Sequence, residues 1–242
     1  MATIYATTAD GYVYHTGTNW DTVHDATIGT SADANDPYTH LAIHAKSEAV
    51  GRTINYFIRR AYFTFDVSSI STAPSAATLG IHGYTDGTAY TDGDIIAIEG
   101  TYLGAGTLVT GDFDSFTGFA SGWDDGDVTA YSSELTSWST SGYNDITLNA
   151  TALAKMASAN ILSIVLMNHD FDYSDVSPLV VGVHNNQSNG LYWADYTSTS
   201  RDPKIDYTPA GYGHDVLGVD SGDIDTVIGV ATADIDTVIG VD

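Results

Sequence analysis

Arg59-Arg60-Ala61-Tyr62-Phe63-Thr64-Phe65-Asp66-Val67-Ser68-Ser69-Ile70 is the stretch that decides the fold. Ala61, Phe63, Phe65 and Val67 alternate with Arg60, Tyr62, Thr64 and Asp66. A period of two is the pattern of a strand that turns one face to a core. A short connection follows, and then Ser75-Ala76-Ala77-Thr78-Leu79-Gly80-Ile81-His82-Gly83-Tyr84, where Leu79 and Ile81 repeat the alternation. Pro74 suits the connection because it lacks a ladder N–H and fixes φ. The two strands form the expected centre of a β-sandwich, with Phe63, Phe65, Leu79 and Ile81 on its core face.

Outward from this pair, the chain reads as many short strands between Gly-rich turns. Residues 4–15 give two short strands around the turn signal Asp10-Gly11. Residues 16–40 are polar and read as a long irregular excursion carrying Trp20, Asp33 and Asp36. His40 to Ala45 alternates and predicts a strand, and residues 46–55 predict a loop holding Lys46 and Arg52. Further strands are expected at Asp94 to Glu99, Thr101 to Thr110, Val128 to Tyr131, Asp145 to Leu148, Ile161 to Met167, Val180 to Val183, Leu191 to Trp193 and Lys204 to Tyr207. Residues 112–126 read as an aromatic loop, and Trp138 lies in another. Asn149 is a good helix cap, and Ala150 to about Ala157 has the composition of a short helix. This pattern predicts an all-β antiparallel sandwich, or jelly roll, over residues 1–209.

Composition narrows the function. The chain has 242 residues, no cysteine, and seven Lys and Arg against 31 Asp and Glu, a formal net charge of −24. Without cysteine there is no disulfide, thiolate metal site or cysteine nucleophile. A surface this acidic repels phosphate backbones, so nucleic-acid binding is not expected. No apolar run reaches membrane-spanning length, and Met-Ala-Thr-Ile-Tyr carries no basic leader-like start. Aspartate-rich loops can take Ca²⁺. Asp124, Asp125 and Asp127 form such a run but lack the EF-hand register, and a solvated acidic turn is the expected state. No cofactor is expected.

The order of segments resembles the DNRLRE-domain family of jelly-roll, carbohydrate-binding-like modules. The likeness rests on Ala9-Asp10-Gly11-Tyr12-Val13 at the start and on Arg59 to Ile70. It continues in Ala76 to Leu79, in Trp123, Asp125, Val128 and Thr129, in Ile146 to Leu153, and in Ser200-Arg201-Asp202-Pro203-Lys204-Ile205-Asp206-Tyr207 at the end. Ala130-Tyr131 stand where that family often has Trp, and the string that names the family is absent. The resemblance covers roughly residues 3–209. It implies the jelly-roll fold, and its shared residues are core and corner residues that do not specify a ligand.

Residues 210–242 form a separate tail. Val216-Leu217-Gly218-Val219, Val227-Ile228-Gly229-Val230 and Val238-Ile239-Gly240-Val241 recur every 11 residues, and Asp223-Ile224-Asp225-Thr226 returns as Asp234-Ile235-Asp236-Thr237. An 11-residue period suits a right-handed helical coil. The β-branched residues and the Gly in each copy favour short strands instead. The units are similar to tandem repeats of tailed-bacteriophage structural proteins. Val216, Leu217, Val219, Val227, Ile228, Val230, Val238, Ile239 and Val241 are the expected docking residues of an extended assembly arm.

No catalytic constellation stands out. His40 and His44 are four apart, but on a strand that spacing spans about 13 Å, and ordinary surface or core histidines are expected. Trp20, Trp123, Trp138 and Trp193, with many of the tyrosines, have the chemistry of a sugar-stacking platform. Trp123 is expected in the core, whereas Trp20 and Trp138, in loops, are the candidate carbohydrate-binding residues. Arg59 or Arg60, with Arg201, is expected to pair with acids at the sandwich edge. Two functions compete. One is a non-enzymatic virion subunit, a capsid decoration or tail or fibre protein, that docks with other subunits and forms a homo-oligomer. The other is an extracellular or surface carbohydrate-binding module that contacts cell-surface glycans.

Overall fold

The computed structural model describes residues 1–87, 94–104, 106–178, 185–210, 226–227 and 230–231. Eleven strands build the body: β1 (Ala2–Tyr5), β2 (Gly11–Gly17), β3 (Ser31–Asp33), β4 (Tyr38–Val50), β5 (Thr53–Asp66), β6 (Ala76–Asp86), β7 (Ile95–Glu99), β8 (Tyr143–Thr147), β9 (Ile161–Asn168), β10 (Asn185–Tyr192) and β11 (Lys204–Thr208). All their pairings are antiparallel. A small sheet runs β1-β11-β6-β8. In the large sheet β5 is the spine. It pairs with β2 along one side, and with β4 and then β9 along the other. Beyond these lie β3 against β2, β10 against β4, and β7 against β9. The end of β6 crosses over and pairs with β10, which joins the two sheets.

The core between the sheets is built as the alternation predicts. Phe63, Phe65, Leu79 and Ile81 are each fully buried there, with Leu162, Ile164 and Leu166 of β9, Ile95 and Ala97 of β7, Ile146 and Ile205. Trp193 stacks on Phe63 at 5.3 Å between ring centroids. Helix α2 (Ala150–Ser158) adds Ala152 and Met156. It is capped by Asn149, whose side chain accepts from the backbone N–H groups of Thr151 and Ala152.

The opposite face of β5 departs from the sequence expectation. Arg60, Tyr62 and Thr64 are as buried as the core residues, because the large sheet is covered on both sides. Its outer face packs a second apolar cluster that includes Val13, Tyr56, Ile58, Tyr62, Ile98, Phe113, Phe116, Trp123, Val165 and Met167. The cover consists of helix α1 (Trp20–His24), the segment from residue 100 to 128, and a π-turn at His169–Tyr173.

Other boundaries move for identifiable reasons. Asp10-Gly11 does not close a hairpin: β1 pairs with β11, and β2 pairs with β5. The glycine is needed for close approach, since a Cβ there would lie 2.1 Å from the Asp33 carbonyl oxygen. Residues 46–55 are not a loop. β4 continues to Val50, turns through Gly51-Arg52 and returns as β5, with Val50 opposite Thr53. Thr101 to Thr110 is not a strand. Gly104 and Gly106 have φ of +66° and +120° and interrupt it, while Tyr102 and Leu108 enter the second cluster singly. Val128 to Tyr131 is reduced to an isolated bridge between Ala130 and Ile98. The excursion at 16–40 contains α1 and β3. The strand expected at Val180 to Val183 lies outside the described residues. No described helix is long and apolar enough to cross a membrane.

Phe63 is the test of the inter-sheet core. Phe63→Ala leaves a cavity against Trp193 and is expected to lower the unfolding free energy by about 3–5 kcal/mol, read from urea denaturation. A change near zero would mean that the two sheets do not pack through this ring.

Candidate functional site: a tyrosine and histidine face beside a buried arginine cluster

The most chemically loaded residues lie under the outer layer. The Arg60 guanidinium is fully buried and binds the Asp172 carboxylate in a bidentate manner, Nε to Oδ2 at 2.9 Å and an Nη to Oδ1 at 2.7 Å. Its remaining donors reach the carbonyls of Phe113 at 3.0 Å and His24 at 3.2 Å. Three rings surround it: Phe113, Phe116 and Trp123, at 4.2, 5.0 and 5.3 Å. His24 stacks on Trp123 at 4.2 Å and is hydrogen-bonded to the Asp172 carbonyl and to Asp25. Tyr62 donates its hydroxyl to the Phe113 carbonyl, and burial raises its pKa.

This cluster has an acid, a base and a histidine, but every nitrogen of Arg60 is engaged in holding α1, the segment around Phe113 and the π-turn onto the sheet. Arg60, Asp172 and His24 are all fully buried. Arg60 does pair with an acid, at the centre of the large sheet rather than at its edge. Arg201 bonds the Tyr192 hydroxyl and lies over the Tyr192 and Tyr196 rings.

The two tryptophans proposed for ligand contact are in other settings. Asn19 caps α1, which turns Trp20 inward. Trp20 is 6% exposed and its indole N–H donates to Asp175. Trp138 is half-buried against the inter-sheet core, and its indole N–H donates to the Thr85 carbonyl. In both residues the indole N–H is already engaged. Trp123 is in the core, as expected.

Exposed aromatic chemistry is gathered elsewhere, where β4, β6 and β10 meet. Tyr38 contacts Tyr84 at 4.4 Å and Tyr192 at 5.9 Å. His40 contacts Tyr84 at 4.7 Å, His82 contacts Tyr192 at 5.2 Å, and Tyr196 contacts Tyr192 at 4.9 Å. Tyr38 is 41% exposed. The face depends on a register shift at Gly190: Asn189 to Leu191 of β10 faces Ile43 to Thr39 of β4, and Gly190 to Leu191 faces Thr85 to Gly83 of β6, so the extra residues are in β4 and β6. A Cβ on Gly190 would meet the Thr85 hydroxyl at 2.2 Å and the Thr39 carbonyl at 2.6 Å. Such bulges re-aim the side chains near them; here Tyr192 comes opposite Tyr38.

Beside Tyr38 is an open groove of about 400 Å³, lined by Asp36, Pro37, Tyr38, Thr39, His40, Leu41 and Arg59. Arg59 lies over Tyr12 at 4.7 Å and Tyr14 at 5.1 Å and donates to the Leu41 carbonyl at 2.7 Å. Asp36 is exposed; partial desolvation and the neighbouring Asp33 raise its pKa. The groove floor is held by Trp193, whose backbone N–H donates to the Pro37 carbonyl and whose indole donates to the Thr39 hydroxyl. The sequence signal for this face was the alternation Tyr38/His40 and His82/Tyr84, which places both members of each pair on one side of a strand.

Below the face, Asp10 is buried and accepts from the Ala194 N–H at 2.8 Å, which supports the turn that carries Tyr196. Burial, reinforced by Asp195 and Asp202, raises its pKa from 3.8 to about 8. Asp124, Asp125 and Asp127 are exposed, and no group of three His, Asp or Glu among the described residues is arranged to hold a metal ion. Neither protein-family models nor curated proteins match this chain.

Two measurements follow from this geometry. Asp172→Ala strands the Arg60 charge in a dry site and is expected to cost about 3–5 kcal/mol, seen as a lower denaturation midpoint; an unchanged midpoint would show that the pair is dispensable. Asp10 binds its proton more tightly folded than unfolded, so its contribution to stability is complete below pH 3.8 and is lost as pH rises to about 8. The thermal midpoint of the native chain should therefore fall more between pH 5 and pH 8.5 than that of Asp10→Asn. Parallel curves would show that Asp10 ionises normally.

Proposed function

We propose that the chain is a non-enzymatic display subunit, a capsid decoration or tail or fibre protein of a tailed-bacteriophage virion, that docks through its C-terminal repeats and presents its β-sandwich outward. The observation that carries this reading is in the tail. Thr226–Val227 (β12) pairs with Val230–Ala231 (β13), Thr226 opposite Ala231 and Val227 opposite Val230. The first and last residues of the middle Val-Ile-Gly-Val unit, Val227 and Val230, thus lie in paired antiparallel strands. The strand expectation for the repeats therefore holds at Val227 and Val230. Val216, Leu217, Val219, Ile228, Val238, Ile239 and Val241 lie outside the described residues.

An isolated two-stranded hairpin is marginal in water. A strand supplied by a neighbour adds backbone hydrogen bonds and covers the apolar side chains, which is recognition by strand addition. Three copies in tandem raise the effective concentration of the later contacts once the first has formed. The intervening aspartates keep the unbound arm soluble and discourage indiscriminate edge pairing. On the sandwich, the outer cluster is consumed by packing, which supports a display role over catalysis. The tyrosine and histidine face favours the second reading, a surface carbohydrate-binding module, and the two are compatible in one subunit.

The full chain is expected to sediment as an oligomer. A chain ending at Ala210 should sediment as a monomer with the same thermal midpoint, and Val227→Asp with Val230→Asp should weaken association in the full chain. Equal sedimentation of the full and shortened chains would remove the tail from assembly.

A further inference from the structure

We propose that the groove between Asp36, Tyr38, His40 and Arg59 is a binding site for a neutral saccharide chain. It rests on the second reading above, a carbohydrate-binding module, and holds whatever the tail docks onto, because every group involved belongs to the sandwich.

The occupant follows from the chemistry of the walls. Sugars present alternating C–H faces and hydroxyl edges. They are matched by aromatic rings beside a few polar groups that both donate and accept. Tyr38 is the most exposed tyrosine of the face, and its contacts with Tyr84 and Tyr192 fix it in place. Asp36 supplies carboxylate acceptors, and the exposed His40 supplies a ring that can donate or accept. The Arg59 guanidinium, oriented by Tyr12, Tyr14 and the Leu41 carbonyl, has further N–H donors for hydroxyls. These groups are held before any ligand arrives, which limits the ordering cost of binding.

Charge selects among saccharides. The chain carries a formal net charge of −24, and Asp36 lines this groove with Asp33 next to it. Five of its seven Lys and Arg lie over aromatic rings, so no cluster of unengaged cations waits for sulfate, phosphate or carboxylate groups. A sulfated, sialylated or uronic-acid chain would meet repulsion from the whole protein. An aliphatic ligand would desolvate Asp36 and Arg59 without pairing them, which is unfavourable. The groove is open, so it suits an internal segment of a chain better than an enclosed terminal sugar. Its volume of about 400 Å³ is at the small end for ligand clefts, enough for a short segment.

The experiment uses the full chain and a panel of neutral oligosaccharides (malto-, cello-, xylo-, manno- and β-1,3-gluco-series) beside sulfated and sialylated ones, read by calorimetric titration. At least one neutral series is expected to bind, with the acidic ones weaker. Tyr38→Ala and Asp36→Ala should each lower that affinity by about tenfold or more with an unchanged thermal midpoint, while Tyr38→Phe retains it. His15→Ala, in a separate groove beside α1, is the control and should bind normally. The proposal is overturned if no neutral series binds, if acidic chains bind more tightly, or if affinity survives Tyr38→Ala and Asp36→Ala together. Loss of binding in His15→Ala with retention in Tyr38→Ala would also overturn it, by moving the site to the other groove.

Discussion

A guanidinium with no access to solvent must have every N–H satisfied, and the outer half of this molecule is arranged around that requirement at Arg60. Asp172 answers the charge, and the carbonyls of Phe113 and His24 take two further N–H groups, so each of the three nitrogens is engaged. These partners come from three separate segments: the π-turn after β9, the long connection after β7, and α1. Each is short or irregular and has little intrinsic stability. Tied to one charge on the central strand, they become a continuous third layer over the large sheet.

The third layer explains why so much aromatic residue content leaves so little exposed. Trp20, Trp123, Phe113 and Phe116 all close the second cluster. His24, which by itself would suggest catalysis or metal binding, is a spacer stacked between Trp20 and Trp123 and bonded at both ring nitrogens. The exposed tyrosine and histidine face lies where β6 leaves the small sheet and joins β10. The register shift at Gly190 makes this region by bringing Tyr192 opposite Tyr38, and Trp193 and Asp10 fix its foundation from below.

The sequence by itself determined the sandwich. The alternation in Arg59–Ile70 and Ala76–Tyr84 placed Phe63, Phe65, Leu79 and Ile81 in the core, and Asn149 marked the start of α2 to the residue. These are local signals: a period of two, a cap, a turn. Only the tertiary structure decided that the other face of β5 is also buried, because that depends on segments up to 112 residues away finding Arg60. Alternation with Arg, Tyr and Thr looks the same whether those residues meet water or a dry, fully bonded pocket. Trp20 was misplaced for the same reason: a loop position says nothing of a distant Asp175 that takes the indole N–H. The tyrosine and histidine face was legible only as pairs, Tyr38 with His40 and His82 with Tyr84. Their union into one surface needed the crossing of β6 and a register shift of β10 against both β4 and β6, and a non-local register is not written in any single stretch of chain.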